Sequence, residues 1–393
     1  MSRRTYEAVV IGGGVVGLSA AWHLLRLGCR PLALVERFRI GHAKGSSHGS
    51  VRMTRSTYAS ATYSALMRHV RAEEWPRLER DAGTALIHRA DVLFFGSDRA
   101  SLGAYAAAVL AAGADVERLT PAVARHRFPA LRFADDAEIL HDRTGGLIAA
   151  GDTLDALHRL IAKHGGDVLE DTRVLSIDHA GGPIRITTER GEFSAERVVI
   201  ACGAWLRELV PAAAADVTVI PQTVAYVRLA APARSLPAWV HFGGAETGTT
   251  YGLAEIGRDA FKIGHHVTRG AHVDPDGVAS LAAGDGSALL RVVAQIVAVP
   301  VVESLGLERC LYTMTPTEDF VIDCWPGNPR VVFGSACSGH GFKFAPLTGR
   351  LLAELLVHGR AALPGGVDAS SLFARRASRA GSADAGRTAA PGA

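Results

Sequence analysis

The first forty residues carry the clearest pattern of apolar and punctuating positions in the chain. Residues 8–11 (AVVI) are a short apolar, β-branched run that reads as a buried strand. Gly12, Gly13, Gly14, Val15, Val16 and Gly17 interrupt it and open a helical pattern that runs to 27–28. A second apolar run, 31–35, ends in Glu36 and Arg37. Strand, glycine turn, helix, strand and acid, in that order, predict a βαβ unit that binds a dinucleotide. Gly12 permits the tight turn, Gly14 lets main chain approach a pyrophosphate, and Gly17 lets the helix pack closely on the strand. The helix N-terminus offers N–H groups and partial positive charge to the phosphates. Glu36 is placed to accept hydrogen bonds from a ribose diol and to repel a 2′-phosphate, which disfavours NADP.

Further along, 152–164 reads as an amphipathic helix with Leu154, Leu157, Leu160 and Ile161 on one face. Residues 173–177, 184–188 and 198–201 read as strands, with Gly181-Gly182 and Arg190-Gly191 as turns. The run 198–201 ends at Cys202, Gly203 and Trp205 and is suited to return to the nucleotide sheet. Strand patterns recur at 217–229, 261–266 and 330–334, and 345–358 is a helix with a strongly apolar face. These elements predict an α/β chain of two domains (α+β in the segregation of its parts). A discontinuous Rossmann-like domain draws on 1–80, 146–215 and 306–374. A mostly antiparallel β-sheet domain, interleaved with it, draws on 81–145 and 216–305. The Ala/Gly/Ser/Arg-rich segment 375–393 reads as a disordered tail.

Composition narrows the function. Forty-two basic against 39 acidic residues leave a net charge of only +3, too balanced for an electrostatic nucleic-acid binder. No apolar run approaches the ~18 residues of a membrane span. Cys29, Cys202, Cys310, Cys324 and Cys337 are odd in number and show no CxxC spacing, which argues against a disulfide framework or a zinc site; no metal is expected. The polar start, Met1-Ser2-Arg3-Arg4, has no apolar secretory stretch, so a cytoplasmic location is expected.

Five blocks carry a more specific signal. They are 12–17; 45–55, with Ser47, His48, Gly49, Arg52 and Arg55; Tyr251 followed by 261–266, with Lys262 and His266; 310–316 (CLYTMTP), with Cys310 and Tyr312; and 338–344 (SGHGFKF). Through these blocks the chain resembles the monomeric sarcosine oxidase and N-methyltryptophan oxidase group of FAD-dependent amine oxidases, within the D-amino-acid-oxidase-like superfamily. The resemblance implies FAD as cofactor, bonded through its 8α carbon to the Cys310 sulfur. Without the surrounding block, Cys310 would read as a buried core thiol, the usual fate of a free cysteine. Arg309 adjoins it and is expected to supply the cation that favours a thiolate.

The resemblance implies roles for the remaining residues. Arg55 and Lys343 form a carboxylate-binding pair, and Arg52 lies beside the flavin ring. Lys262 activates dioxygen, His266 belongs to the active site, and Tyr251 and Tyr312 line the substrate pocket. Flavin contacts fall on Gly12, Gly14, Val15, Val16, Gly17, Glu36, Arg37, Ser47, His48, Gly49, Arg52, Val174, Cys202, Gly203, Trp205, Gly339, His340, Gly341, Phe342 and Lys343. Read from residue type alone, Arg55 suits a solvated or structural ion pair, Lys262 a solvated strand position, His266 a structural histidine and the tyrosines core positions. Alternation puts Lys262 and His266 on one strand face and His265 on the other.

The chain also departs from the group. Val51 stands where a hydroxyl residue is common, and Glu255, Arg258 and Asp259 bring charge where a small N-methyl substrate needs little. The expected function is therefore a flavin oxidase of a secondary amino acid, N-methyl or cyclic. It forms an imine and hydrogen peroxide, with a small amino acid and O2 as its only partners, and acts as a monomer. Competing readings are a ring-amine desaturase of a specialised pathway, an NADPH-dependent flavin monooxygenase, for which a second GxGxxG unit is missing, and a non-catalytic FAD-binding protein.

Overall fold

The computed structural model describes residues 4–211, 217–278, 280–281, 284–364 and 369–373; the segment 375–393, expected to be a disordered tail, lies outside them. The chain divides into two compact units, one of residues 1–40, 157–218 and 313–393, the other of 41–156 and 219–312.

The first unit is organised by five parallel strands, in the order Asn328–Ser335, Gly191–Ile200, Arg4–Ile11, Leu32–Val35 and Asp167–Leu169. Val10 lies opposite Val199 on one side and Leu34 on the other. Their continuous apolar character follows from burial on both faces, as parallel strands require. Gly191–Ile200 is longer than its apolar run predicts. Its first half pairs antiparallel with Ile184–Thr188, where one face is free to be polar. The helix Val15–Arg26 packs against Ala345–His358 at close range: a Cβ on Gly349 would lie 2.4 Å from Ser19 Oγ. His23 Nε2 reaches Pro346 O at 3.1 Å across the same helix pair.

The second unit holds an eight-stranded sheet in the order Val301–Met314, Thr218–Leu229, Phe261–His265, Thr249–Ala254, Ala238–Phe242, Val92–Gly96, Glu138–Asp142 and Val116–Leu119. Ala238–Phe242 and Val92–Gly96 run parallel; the other pairings with a resolved register are antiparallel. Strand alternation divides its side chains cleanly. Phe261, Ile263, Ala225, Trp239, Leu93 and Ile139 enter one core, covered by the helix Ser287–Ile296. The opposite face carries Val92, Phe94, Val240 and Leu253, packed against Val51, Leu102 and Ala106. Lys262 belongs to this second face, opposite Tyr226 on one neighbouring strand and Leu253 on the other. A small sheet of Val51–Thr54, Gly146–Ala149 and Ile87–Arg89 completes the unit. The two-domain α/β architecture expected from the sequence is the one observed. Among the described residues, no helix is long and apolar enough to cross a membrane.

Candidate functional site

In the first unit, the glycine turn is as tight as its sequence demands. Gly12 has φ +111°, and a Cβ there would lie 2.5 Å from Ala201 O. On Gly17 a Cβ would lie 1.9 Å from Gly12 O. The helix begins at Val15 with Gly14 as its N-cap, so no side chain caps it, and its first turn has no acidic residue. Its positive end is therefore left for an external anion. Glu36 is buried at the end of its strand; Gly13 N–H donates to Oε2 at 2.5 Å and Phe38 N–H to Oε1 at 2.7 Å. These two main-chain donors fix the carboxylate at the end of the strand.

Arg37, Phe38 and Trp205 cluster together, the two rings edge to face, with the Arg37 guanidinium 5.0 Å from the Phe38 ring and 5.5 Å from Trp205. The side chain of Val174 enters the core, which leaves only its main chain for a ligand. Gly203 has φ +55°. Burial pushes the Cys202 thiol up to about 12, which keeps it protonated at neutral pH.

The turn 338–344 lies in the same unit. Ser338 is buried with φ +39°, and Gly339 has φ +71°. Only glycine fits at 341, where a Cβ would lie 1.6 Å from Ala336 O. The His340 ring stacks on Phe320 at 4.8 Å and its Nε2 lies 2.9 Å from Glu318 O, so its side chain is held by the fold. Phe342 is half-buried; Lys343 is buried, with Nζ donating to His340 O at 3.3 Å.

The second unit gathers most of the expected catalytic residues on one sheet face. Lys262 is only 6% exposed, and among the described residues its Nζ forms no hydrogen bond. Burial, with the Arg52 charge adding to it, pulls its ammonium down from 10.5 to about 8. Cys310, Glu255 and Glu308 act on it in the opposite direction. The main chain at Gly49, φ +89°, leaves a niche: a Cβ there would meet Arg52 Nη1 at 3.5 Å, Lys262 Nζ at 3.6 Å and Tyr226 Oη at 3.9 Å. Arg52 is fixed by carbonyl acceptors, Val51 O at 2.7 Å, Ser46 O at 2.8 Å and His48 O at 2.6 Å. Ser47, half-buried, lies between the last two. His48 is pulled down to about 4, first by burial and then by Arg52, and so is neutral at pH 7.

Tyr251 lies across Gly264, whose missing side chain makes room: a Cβ there would lie 2.5 Å from Tyr251 Oη. Burial pushes the Tyr251 phenol up, and Tyr312 is its hydrogen-bonding neighbour. The Tyr312 ring lies 5.7 Å from His266, edge to face. Arg55 sits apart from this group among aromatic rings, 4.2 Å from Tyr58, 5.2 Å from Phe94 and 5.9 Å from Tyr105.

One expectation is overturned. Arg309 does not serve Cys310: its Nη1 donates to Thr223 Oγ1 at 2.9 Å and its Nη2 pairs with Asp285 at 3.3 Å. Adjacent strand residues point to opposite faces, so the neighbour in sequence is not the neighbour in space. Among the described residues, Lys262 is a cation that interacts electrostatically with Cys310.

The structure also adds Tyr226 and Glu308, joined by a 2.7 Å hydrogen bond, with His48 Nε2 3.8 Å from the same carboxylate. Glu308 stands two residues before Cys310 on one strand, and that spacing is the signal that could have found it. The charges at 255–259 are held within the unit. Glu255 accepts from Ser50 and pairs with Arg258 at 3.4 Å, Arg258 lies over the Tyr226 ring at 4.4 Å, and Asp259 accepts from Ala233 N–H at 2.8 Å.

The family model for FAD dependent oxidoreductases matches residues 7–355, most of the chain. The chain belongs to this family. The peroxisomal sarcosine oxidase of Mus musculus is 31% identical over 363 residues, which span 89% of this chain and 92% of that one. The monomeric sarcosine oxidase of Arthrobacter sp. (strain TE1826) is 26% identical over 369 residues, 91% and 94% of the two chains. Among solved structures, a variant of NikD, described as an unusual amino acid oxidase essential for nikkomycin biosynthesis, aligns with TM-score 0.84 and 25% identity over 94% of this chain and 97% of that one.

The residues of this oxidoreductase fit FAD. The uncapped helix end, the Gly12 and Gly17 contacts and the fixed Glu36 carboxylate together form a cradle suited to a dinucleotide. Gly17→Ala is therefore expected to yield protein with little bound flavin and a stability loss of about 1–3 kcal/mol, as overpacking costs. The ratio of flavin to protein absorbance and a thermal melt measure both; parent-level flavin content would show the contact to be relieved.

Proposed function

We propose that this FAD-dependent oxidoreductase is an oxidase of a secondary amino acid, N-methyl or cyclic, that delivers electrons to dioxygen and releases hydrogen peroxide. The observation that carries the reading is Lys262: an ammonium buried on an apolar sheet face, without an acceptor among the described residues, beside Arg52. A purely structural lysine would be paired or solvated. Bound FAD supplies two-electron oxidation of a C–N bond and passes the electrons on.

The protein's residues do the rest. Arg55 binds the substrate carboxylate, its guanidinium desolvated by Tyr58, Phe94 and Tyr105 and so strengthened toward an anion. Lys343 is proposed from its motif as a second cation for that group. Lys262 and Arg52 make the niche at Gly49 cationic and disfavour an ammonium nearby, which keeps the amine's lone pair available. Tyr251, Tyr312 and His266 orient the amine. The Lys262 ammonium stabilises the negative charge that develops on dioxygen. Cys310, on the same strand face as Glu308, is proposed to hold the cofactor through a thioether. The enzyme is proposed to act as a cytoplasmic monomer.

The reading spans two substrate classes, N-methyl amino acids and ring amines. One screen tests both: peroxide release from the holoenzyme with N-methyl amino acids, pipecolate and proline. Peroxide in equal amount to substrate consumed is expected from one group. No turnover across the panel, or flavin reduction by NADPH instead, would overturn the reading.

A further inference from the structure

Arg55 does not stand alone. Its Nη1 donates to the Thr57 carbonyl, and Thr57 is in turn held through its own N–H and hydroxyl by a buried carboxylate, Asp142. Oδ2 of Asp142 accepts from Ser56 N–H at 2.7 Å, Thr57 N–H at 2.9 Å and Thr57 Oγ1 at 2.8 Å. Its Oδ1 accepts from Thr144 N–H at 3.0 Å and Thr144 Oγ1 at 2.6 Å, and Ser56 Oγ lies 2.8 Å from Thr144 Oγ1. Asp142, Ser56 and Thr57 are all fully buried. The strand Glu138–Asp142 ends at this acid, in register with Val92 and Val116, so its backbone is anchored on both sides.

From this chain of contacts we infer that Asp142 is a positioning residue for substrate binding: it fixes Thr57 through its N–H and hydroxyl, and the Thr57 carbonyl in turn holds the Arg55 guanidinium over Tyr58. Five hydrogen bonds on one carboxylate are more than a simple turn needs, and three of them converge on the two residues that follow Arg55. A flexible arginine would lose rotamer entropy on seizing a carboxylate; one held in place beforehand does not. The alternative is that Asp142 merely ties the loop 55–57 to the sheet. That role would affect folding equally with or without an anionic ligand.

The inference rests on the reading of Arg55 as the carboxylate site, and the test separates the two. The probes are benzoate and its uncharged analogue benzamide, titrated calorimetrically into the holoenzyme. The parent is expected to prefer benzoate, and Arg55→Ala to abolish that preference. Asp142→Asn is expected to weaken benzoate by about tenfold or more and to leave benzamide within about twofold. In the Arg55→Ala background, Asp142→Asn is expected to add nothing for benzoate, since a coupled pair is not additive.

Loss of the Asp142 charge also removes electrostatic support from Arg71. Thr57→Val therefore serves as the gentler probe, expected to weaken benzoate about threefold, with Thr57→Ser restoring it. Benzoate affinity unchanged in folded Asp142→Asn or in Thr57→Val, or an Asp142→Asn effect that persists without Arg55, overturns the inference. Benzoate affinity unchanged in Arg55→Ala overturns the reading and the inference with it.

Discussion

Replacing Lys262 with Met is expected to slow reoxidation of the reduced enzyme by dioxygen by about two to three orders of magnitude. Flavin reduction by substrate should change only a few-fold. The asymmetry follows from where charge develops. Dioxygen gains a negative charge in its first reduction step, and a cation held in a site without competing acceptors stabilises it far more than one in water. Met matches the lysine stem in length and is apolar, so the sheet face of Leu253 and Val240 is left filled. Arg52 remains beside the niche and accounts for residual activity. Stopped-flow measurement of the two half-reactions decides: equal slowing of both would remove the oxygen-activating role.

The same lysine sets the pH dependence. Its ammonium is pulled down to about 8, chiefly by burial, so the charged form prevails below that pH and the neutral amine above it. Reoxidation is expected to be flat near pH 6 and to fall as pH rises through about 8. Lys262→Met should abolish the step. His48 does not contribute over this range, because burial holds it down to about 4.

The parts of the molecule that were legible in advance are those in which the chemistry is local in sequence. The glycine turn, its flanking strands and Glu36 lie within some thirty residues, and Gly17 is required by a contact inside the turn itself, with Gly12 O. The second unit resisted this treatment because its site is assembled by strand pairing. Tyr226 and Glu308 meet across 82 positions, and Asp142 reaches Thr57 across 85. Nothing in the period of either strand announces the partner. The error at Arg309 has a different origin. Within the strand Phe261–His265 alternation separates His265 from Lys262, and the same rule applied to 308–310 puts Glu308, not Arg309, on the face of Cys310. Adjacency along an extended chain is evidence of opposite orientation.

Cys310→Ser is expected to give protein whose flavin is released completely by acid, whereas the parent should retain its yellow colour in the acid-precipitated pellet and show a mass increased by one FAD. The proposal stands on placement and electrostatics together. Cys310 lies in the strand Val301–Met314, half-buried, and among its electrostatic neighbours are Lys262 and Tyr251. A thioether forms only from the thiolate, and a neighbouring ammonium stabilises that form. Burial pushes the thiols of Cys29, Cys202 and Cys324 up, away from the thiolate form. Serine preserves the shape of the site but ionises far less readily, so the variant should still bind FAD through the glycine turn and Glu36, now reversibly. Lys262→Met gives an independent check. If the ammonium favours the thiolate, that variant should acquire covalent flavin more slowly when its apoprotein is mixed with FAD, with the same end point. A parent enzyme that yields all of its flavin to acid would refute the attachment while leaving the oxidase reading to be judged by peroxide release alone.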